Sequence, residues 1–240
     1  MPARTVERDY VLAHIVAGFA GLERSAGLVF KGGTALRLCH FNDYRYSADL
    51  DFSIVAGTVE DAYSTIEEAL AATGGTTEGL HLTAHKPPRV GYVGPLGRER
   101  TLKLDLAADE LVLNVEQQAL LPRWDDLPDH VTVSVYTLLE IAGEKLRCVL
   151  QRLQCRDLFD LSALLIEGGV DIVDAAEIFQ SKAEHRSIDP NVFAARYAER
   201  LDQYRHRWEG ELGENVPGEI PHFDNLARRV SQQLRKAGLL

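Results

Sequence analysis

A chain of 240 residues, 45% of them hydrophobic and with a formal charge of −10, can build a packed core as one large domain or two modest ones. The acid excess excludes a protein that grips nucleic acid over a broad basic surface, so any such contact must be local. It is larger before Val135 than after it, which makes the C-terminal part the less repulsive to an anion. No basic segment followed by an apolar run opens the sequence, and no run of about 18 apolar residues occurs. The expectation is a cytoplasmic protein with no membrane segment.

The first element is a helix, because Val6, Tyr10, Val11, His14, Ile15, Phe19 and Leu22 recur at intervals of three and four. Gly27 closes it. A short apolar run, Leu28 to Phe30, then Gly32 and Gly33, then the helix-compatible Thr34 to Cys39 read as strand, glycine turn and helix. Ala48 to Val55 alternates with a period of two and predicts a strand. A helix from Val59 to Ala72 is expected to stop at Gly74 and Gly75, with strands following at Leu80–Ala84 and Thr101–Ala107. Pro87 to Gly97 reads as a loop or hairpin tip, and Val131 to Val135 as one more strand. From Thr137 onward the periodicity is helical, with breaks at Gly168–Gly169, Asp189–Pro190 and Gly213–Pro221. Cys39, Cys148 and Cys155 lie in or near apolar-periodic segments without CxxC pairing and read as buried thiols rather than zinc ligands.

The window KGGTALRLCHFNDYRYSADLDFSI, Lys31 to Ile54, carries the chemistry. Two glycines opening a helix either let backbone N–H groups approach a phosphate, with Lys31 adding charge, or serve only the sterics of the turn. Asp49 and Asp51 project from one strand face, where they repel each other unless a cation lies between them. Oxygen ligands of this kind suit Mg2+, and an edge strand with an acidic outer face is the alternative. Ser47 falls on that same face. Asp105, flanked by Leu104 and Leu106, leaves the face opposite those leucines and is a candidate third carboxylate.

The stretch Lys31 to Arg37, followed by Arg45 to Phe52, resembles the glycine turn and DxD motif of the AbiEii/AbiGii nucleotidyltransferase toxins, including the mycobacterial MenT group. Downstream, EKLRCVLQRLQCRDLFDL resembles the family's lysine and DxxD motifs at Lys145, Asp157 and Asp160, so the resemblance spans Val29 to Leu165. It implies an α/β (α+β) protein: a polymerase-β-like nucleotidyltransferase core over residues 1–135, with a mixed sheet flanked by helices, and a helical C-terminal domain over 136–240. It further implies a Mg2+-dependent toxin of a toxin–antitoxin or phage-defence system. Such a toxin transfers NMP from an NTP to the 3′ acceptor end of tRNA and so blocks translation, and its partner is a cognate antitoxin, AbiEi-like or other. Carried over by position, Asp49 and Asp51 bind catalytic Mg2+, and Asp105, Asp109 or no residue completes the metal set. Lys31, Gly32, Gly33, Thr34, Arg45 and Ser47 face the nucleotide together with Asp160. Lys145 holds phosphate, and Asp157 is the functional member of its pair.

Without the resemblance, Lys145, Asp157 and Asp160 read as a solvated helix face or an ion pair. Arg37 and Arg45 suit either phosphate or the acids Asp43, Asp49 and Asp51. Two basic rows are candidate RNA contacts, Arg196, Arg200, Arg205 and Arg207, and Arg228, Arg229, Arg235 and Lys236; the alternative for either is to balance nearby acids such as Glu199, Asp202 and Glu209. Transfer to a cationic small molecule such as an aminoglycoside, and a non-catalytic nucleotide-binding module, are the competing functions.

Overall fold

Residues Ala3–Ala17 form helix α1, which ends sooner than the apolar stripe suggests because the Gly18 amide turns back onto the His14 carbonyl, 3.0 Å away. Phe19 remains in the core from the turn beyond. The computed structural model describes residues 1–73 and 78–240, so the helix stop expected at Gly74 and Gly75 lies outside the described residues. The chain divides into two units, Met1–Tyr136 and Thr137–Leu240.

In the first unit α1 is followed by β1 (Leu28–Lys31), helix α2 (Gly32–Ala35, running on as one π-turn, Leu36–His40), β2 (Asp49–Ile54) and helix α3 (Val59–Ala72). The α3 start is fixed by a reciprocal cap: Asp61 N–H donates to Thr58 Oγ1 at 3.1 Å, and Thr58 N–H to Asp61 Oδ2 at 2.9 Å. Strands β3 (Glu78–Leu82), β4 (Arg89–Val93), β5 (Glu99–Ala107), β6 (Val115–Ala119) and β7 (Thr132–Tyr136) complete the unit. They form a mixed seven-stranded sheet in the order β3-β4-β5-β2-β1-β7-β6, with β2–β5 and β1–β7 parallel and the other pairs antiparallel.

Two strands correct the sequence reading. Arg89–Val93 is β4 and not part of a loop; only Val90 and Tyr92 offer it apolar pattern, and its Gly91 leaves room for the His81 ring of β3. Val115–Ala119, which carries no strand signal beyond its length, is held as edge strand β6 by pairing with β7.

Strand parity gives the sheet two different faces. Leu28, Phe30, Leu50, Phe52, Leu102, Leu104, Val133 and Val135 point to one, where Val11, Ile15 and Val16 of α1 and Ile66 and Leu70 of α3 close the core. Burial of each such large side chain contributes roughly 1.5–3 kcal/mol. The other face carries Lys31, Asp49, Asp51, Ser53, Lys103 and Asp105, with the Ser53 and Tyr136 hydroxyls bonded at 2.6 Å.

The second unit is helical: α4 (Leu138–Gln151), α5 (Cys155–Ile166), α6 (Ile172–His185), α7 (Phe193–Leu212) and α8 (Phe223–Lys236). Gly143 lets α4 approach α6 closely, since a Cβ there would collide with Ile178. Beneath that contact, Lys182 and Glu140 form an ion pair at 2.7 Å with both side chains fully buried. The three cysteines are buried free thiols. Among the described residues no helix is long and apolar enough to cross a membrane.

Candidate active site

Strand β1 ends at Lys31 and the chain turns into α2 through Gly32, whose φ of +75° favours glycine. Space makes the same demand: a Cβ on Gly32 would stand 2.5 Å from Asp51 Oδ2, and one on Gly33 would stand 2.5 Å from the Arg45 guanidinium and 3.2 Å from Ser47 Oγ. The two glycines thus let a carboxylate, a guanidinium and a hydroxyl close on the turn. Arg45 and Ser47 are both buried there.

Asp51 sits across from Lys31 on β1 and from Asp105 on β5. Loss of water and the neighbouring Asp49 charge push its carboxyl up to about 6, with Lys31 and Lys103 opposing and Asp105 adding to the rise. Asp105 is half exposed and accepts a bond from Lys103 at 3.3 Å. As the side chains stand, no three His, Cys, Asp or Glu among the described residues are arranged to hold a metal ion. The Asp49–Asp51 pair itself fits a hard divalent cation: its donors are carboxylate oxygens, and their mutual repulsion is what such a cation relieves. Thr34 is buried and its hydroxyl donates to the Asp49 carbonyl at 2.6 Å, so it fixes the start of β2.

The second motif lies within the helical unit. Lys145 Nζ on α4 contacts Asp157 Oδ1 at 2.9 Å and Asp160 Oδ2 at 2.7 Å on α5, both carboxylates being fully buried. Arg152 adds a two-point contact to Asp157 at 2.7 and 3.0 Å. Burial pushes Asp157 upward, but the Lys145 and Arg152 charges and their hydrogen bonds outweigh it, and the carboxyl stays below its ordinary value.

Comparison with known proteins gives the family. The profile of the family described as "Nucleotidyl transferase AbiEii toxin, Type IV TA system" matches residues 16–229. The chain belongs to the AbiEii family. Membership makes it a nucleotidyltransferase toxin of a type IV toxin–antitoxin system, with an NTP as substrate and an antitoxin as partner. Among solved structures it resembles MenT4, a nucleotidyltransferase toxin from Mycobacterium tuberculosis H37Rv. The TM-score is 0.67 at 20% identity, over 98% of this chain and 88% of that one, which establishes a shared fold. An antigenic nucleotidyltransferase-like protein from Paracoccidioides brasiliensis aligns with a TM-score of 0.45 at 13% identity, over 80% and 92% of the two chains. No curated protein sequence matches.

Several contacts of this AbiEii chain were invisible in its sequence. Arg37 meets neither Asp43 nor the DxD pair; it makes a two-point ion pair with buried Asp9 of α1, donates to the Tyr44 carbonyl at 2.6 Å and lies 3.7 Å over the Tyr46 ring. Lys31 has Glu110 3.9 Å away, both nearly buried, and the Tyr136 ring at 5.7 Å. Arg123, in the loop before β7, caps the end of the α2 π-turn by donating to the carbonyls of Arg37, Phe41 and Asn42. Only proximity in space pairs these residues, and no sequence spacing signals it.

Proposed function

We propose that this AbiEii toxin transfers a nucleoside monophosphate from an NTP to the 3′ end of tRNA, in a Mg2+-dependent reaction that blocks translation. The observation that carries the reading is that Asp51 Oδ2 stands against Gly32, 2.5 Å from where a Cβ would be, while the Arg45 guanidinium and the Ser47 hydroxyl close in the same way on Gly33. Asp49 and Asp51 would hold Mg2+, with Asp105 as a third ligand once its side chain leaves Lys103. When bound, the ion supplies Lewis-acid stabilisation of the triphosphate. The residues of the chain do the rest. The turn accepts the phosphates on its backbone N–H groups, and Lys31, Arg45 and Ser47 surround it with positive charge and a hydroxyl donor.

In this reading Lys145 binds phosphate, and Asp157 and Asp160 hold its ammonium in place. A tRNA 3′ hydroxyl attacks the α-phosphorus and pyrophosphate leaves. The test is transfer of label from each α-labelled NTP to intact tRNA, to tRNA whose 3′ end has been oxidised with periodate, and to an aminoglycoside. Label on intact tRNA alone is expected; label on the aminoglycoside, or on no acceptor, would overturn the proposal.

A further inference from the structure

The two basic rows that look equivalent in the sequence differ in the structure. Each arginine of the α7 row is engaged within its own unit. Arg196 pairs with Glu199 at 3.2 Å, Arg205 with Asp202 and with Asp224 at 2.9 Å, and Arg207 with Glu211 at 2.5 Å, while Arg200 donates to the Val149 and Leu150 carbonyls at 2.6 and 2.8 Å. On α8, Arg228, Arg229, Arg235 and Lys236 are all exposed and, among the described residues, form no ion pair; Arg228 reaches only Asn225 Oδ1, at 3.3 Å.

At about 100° per residue these four cations fall within an arc of about 120° along roughly 12 Å of helix, with exposed Gln232 among them and exposed Asn225 on the same face nearly one turn before Arg228. The stripe contains no acid. Asp224, at its edge, is taken by Arg205. We infer that this face of α8 is the docking surface for the phosphate backbone of the RNA acceptor, an inference that takes its occupant from the function proposed above.

Charge selects that occupant. On a chain of net charge −10 a polyanion meets net repulsion, so four exposed cations in one row without an ion pair mark a place where it is tolerated. Interleaved amide side chains donate to phosphate and sugar oxygens as the cations do. A lipid surface fits poorly, because Phe223, Leu226, Ala227, Val230 and Leu234 are buried in the helical unit and no apolar face remains to enter a bilayer. An acidic protein fits less well than RNA, since the stripe has no exposed aromatic or aliphatic anchor.

The test is binding of a deacylated tRNA pool to the full chain by fluorescence anisotropy, from about 50 to about 200 mM salt. Wild type is compared with the quadruple variant Arg228→Ala, Arg229→Ala, Arg235→Ala, Lys236→Ala. Loss of four phosphate contacts should lower the slope of log K against log salt by about 3 and weaken binding at least about tenfold at low salt. The charge-keeping variant Arg228→Lys, Arg229→Lys, Arg235→Lys should bind as wild type does, which separates lost charge from a damaged helix. Equal affinity and slope in wild type and quadruple variant, or no tRNA binding by wild type, would overturn the inference. Label transfer from NTP on the same samples keeps the two proposals apart. A quadruple variant that binds and labels like wild type removes the docking surface and leaves the reaction. A wild type that binds through α8 but labels nothing removes the reaction and leaves the surface.

Discussion

Gly32 is held by two constraints at once, a φ of +75° and an Asp51 oxygen 2.5 Å from where a Cβ would stand. Gly32→Ala is therefore expected to lose more than about 1 kcal/mol of stability and to cut nucleotide transfer by at least about a hundredfold. Gly21, also at φ +75° but with open space around it, supplies the control: Gly21→Ala should lose stability and keep transfer. If the two variants transferred equally well, crowding against Asp51 would be irrelevant to the site. The buried Arg37–Asp9 pair sets a second expectation. Asp9→Asn leaves a buried guanidinium short of its partner and should cost about 3–5 kcal/mol in a urea titration, and a cost under about 1 kcal/mol would contradict that assignment. At this scale the alternation of Asp49, Leu50, Asp51 and Phe52 was enough to place both carboxylates on one face, and the same rule put Asp105 opposite its flanking leucines, while the pairing of β2 with β5 that sets it beside Asp51 came from the fold. Asp9 and Glu110 were not legible, because no local periodicity signals a partner brought near by the fold alone.

At the scale of elements, the α4–α5 contact is organised around charge in a dry setting. Asp157 lies below its ordinary 3.8 in the folded chain, so its stabilising contribution is complete above the unfolded value and is lost as pH falls through the folded one. Thermal unfolding followed from about pH 5 down to about pH 3 should show a steep loss for wild type and a shallower one for Asp157→Asn, which starts less stable. Parallel pH curves would mean the carboxyl is not depressed. The α4–α6 contact rests on size, and Gly143→Leu should destabilise by at least about 1–3 kcal/mol through overpacking against Ile178, read by the same melts. Most elements could be read from period alone, including β2, α3 and the run of helices after Thr137. Strands β4 and β6 could not: one is flanked by Pro and Gly, the other is rich in Glu and Gln, and both exist because neighbouring strands satisfy their backbones.

For the whole molecule, charge and family together define the expectation. If the acceptor of this strongly acidic AbiEii toxin is the proposed tRNA, a few well-placed cations must serve both triphosphate and RNA, and those of the glycine turn are buried while those of the α8 stripe are exposed. Family membership was legible from two short motifs because each is a local pattern of residue types at fixed spacing, whereas the availability of the α8 row depends on where every acid of the helical unit turns. The most direct measurement is the mass of the tRNA 3′-terminal fragment after incubation with NTP and Mg2+, wild type beside Asp51→Asn. The expected result is a fragment heavier by one or more nucleoside monophosphates with wild type and an unchanged fragment with the variant. An unchanged fragment with wild type, or the same mass gain with Asp51→Asn, would contradict it.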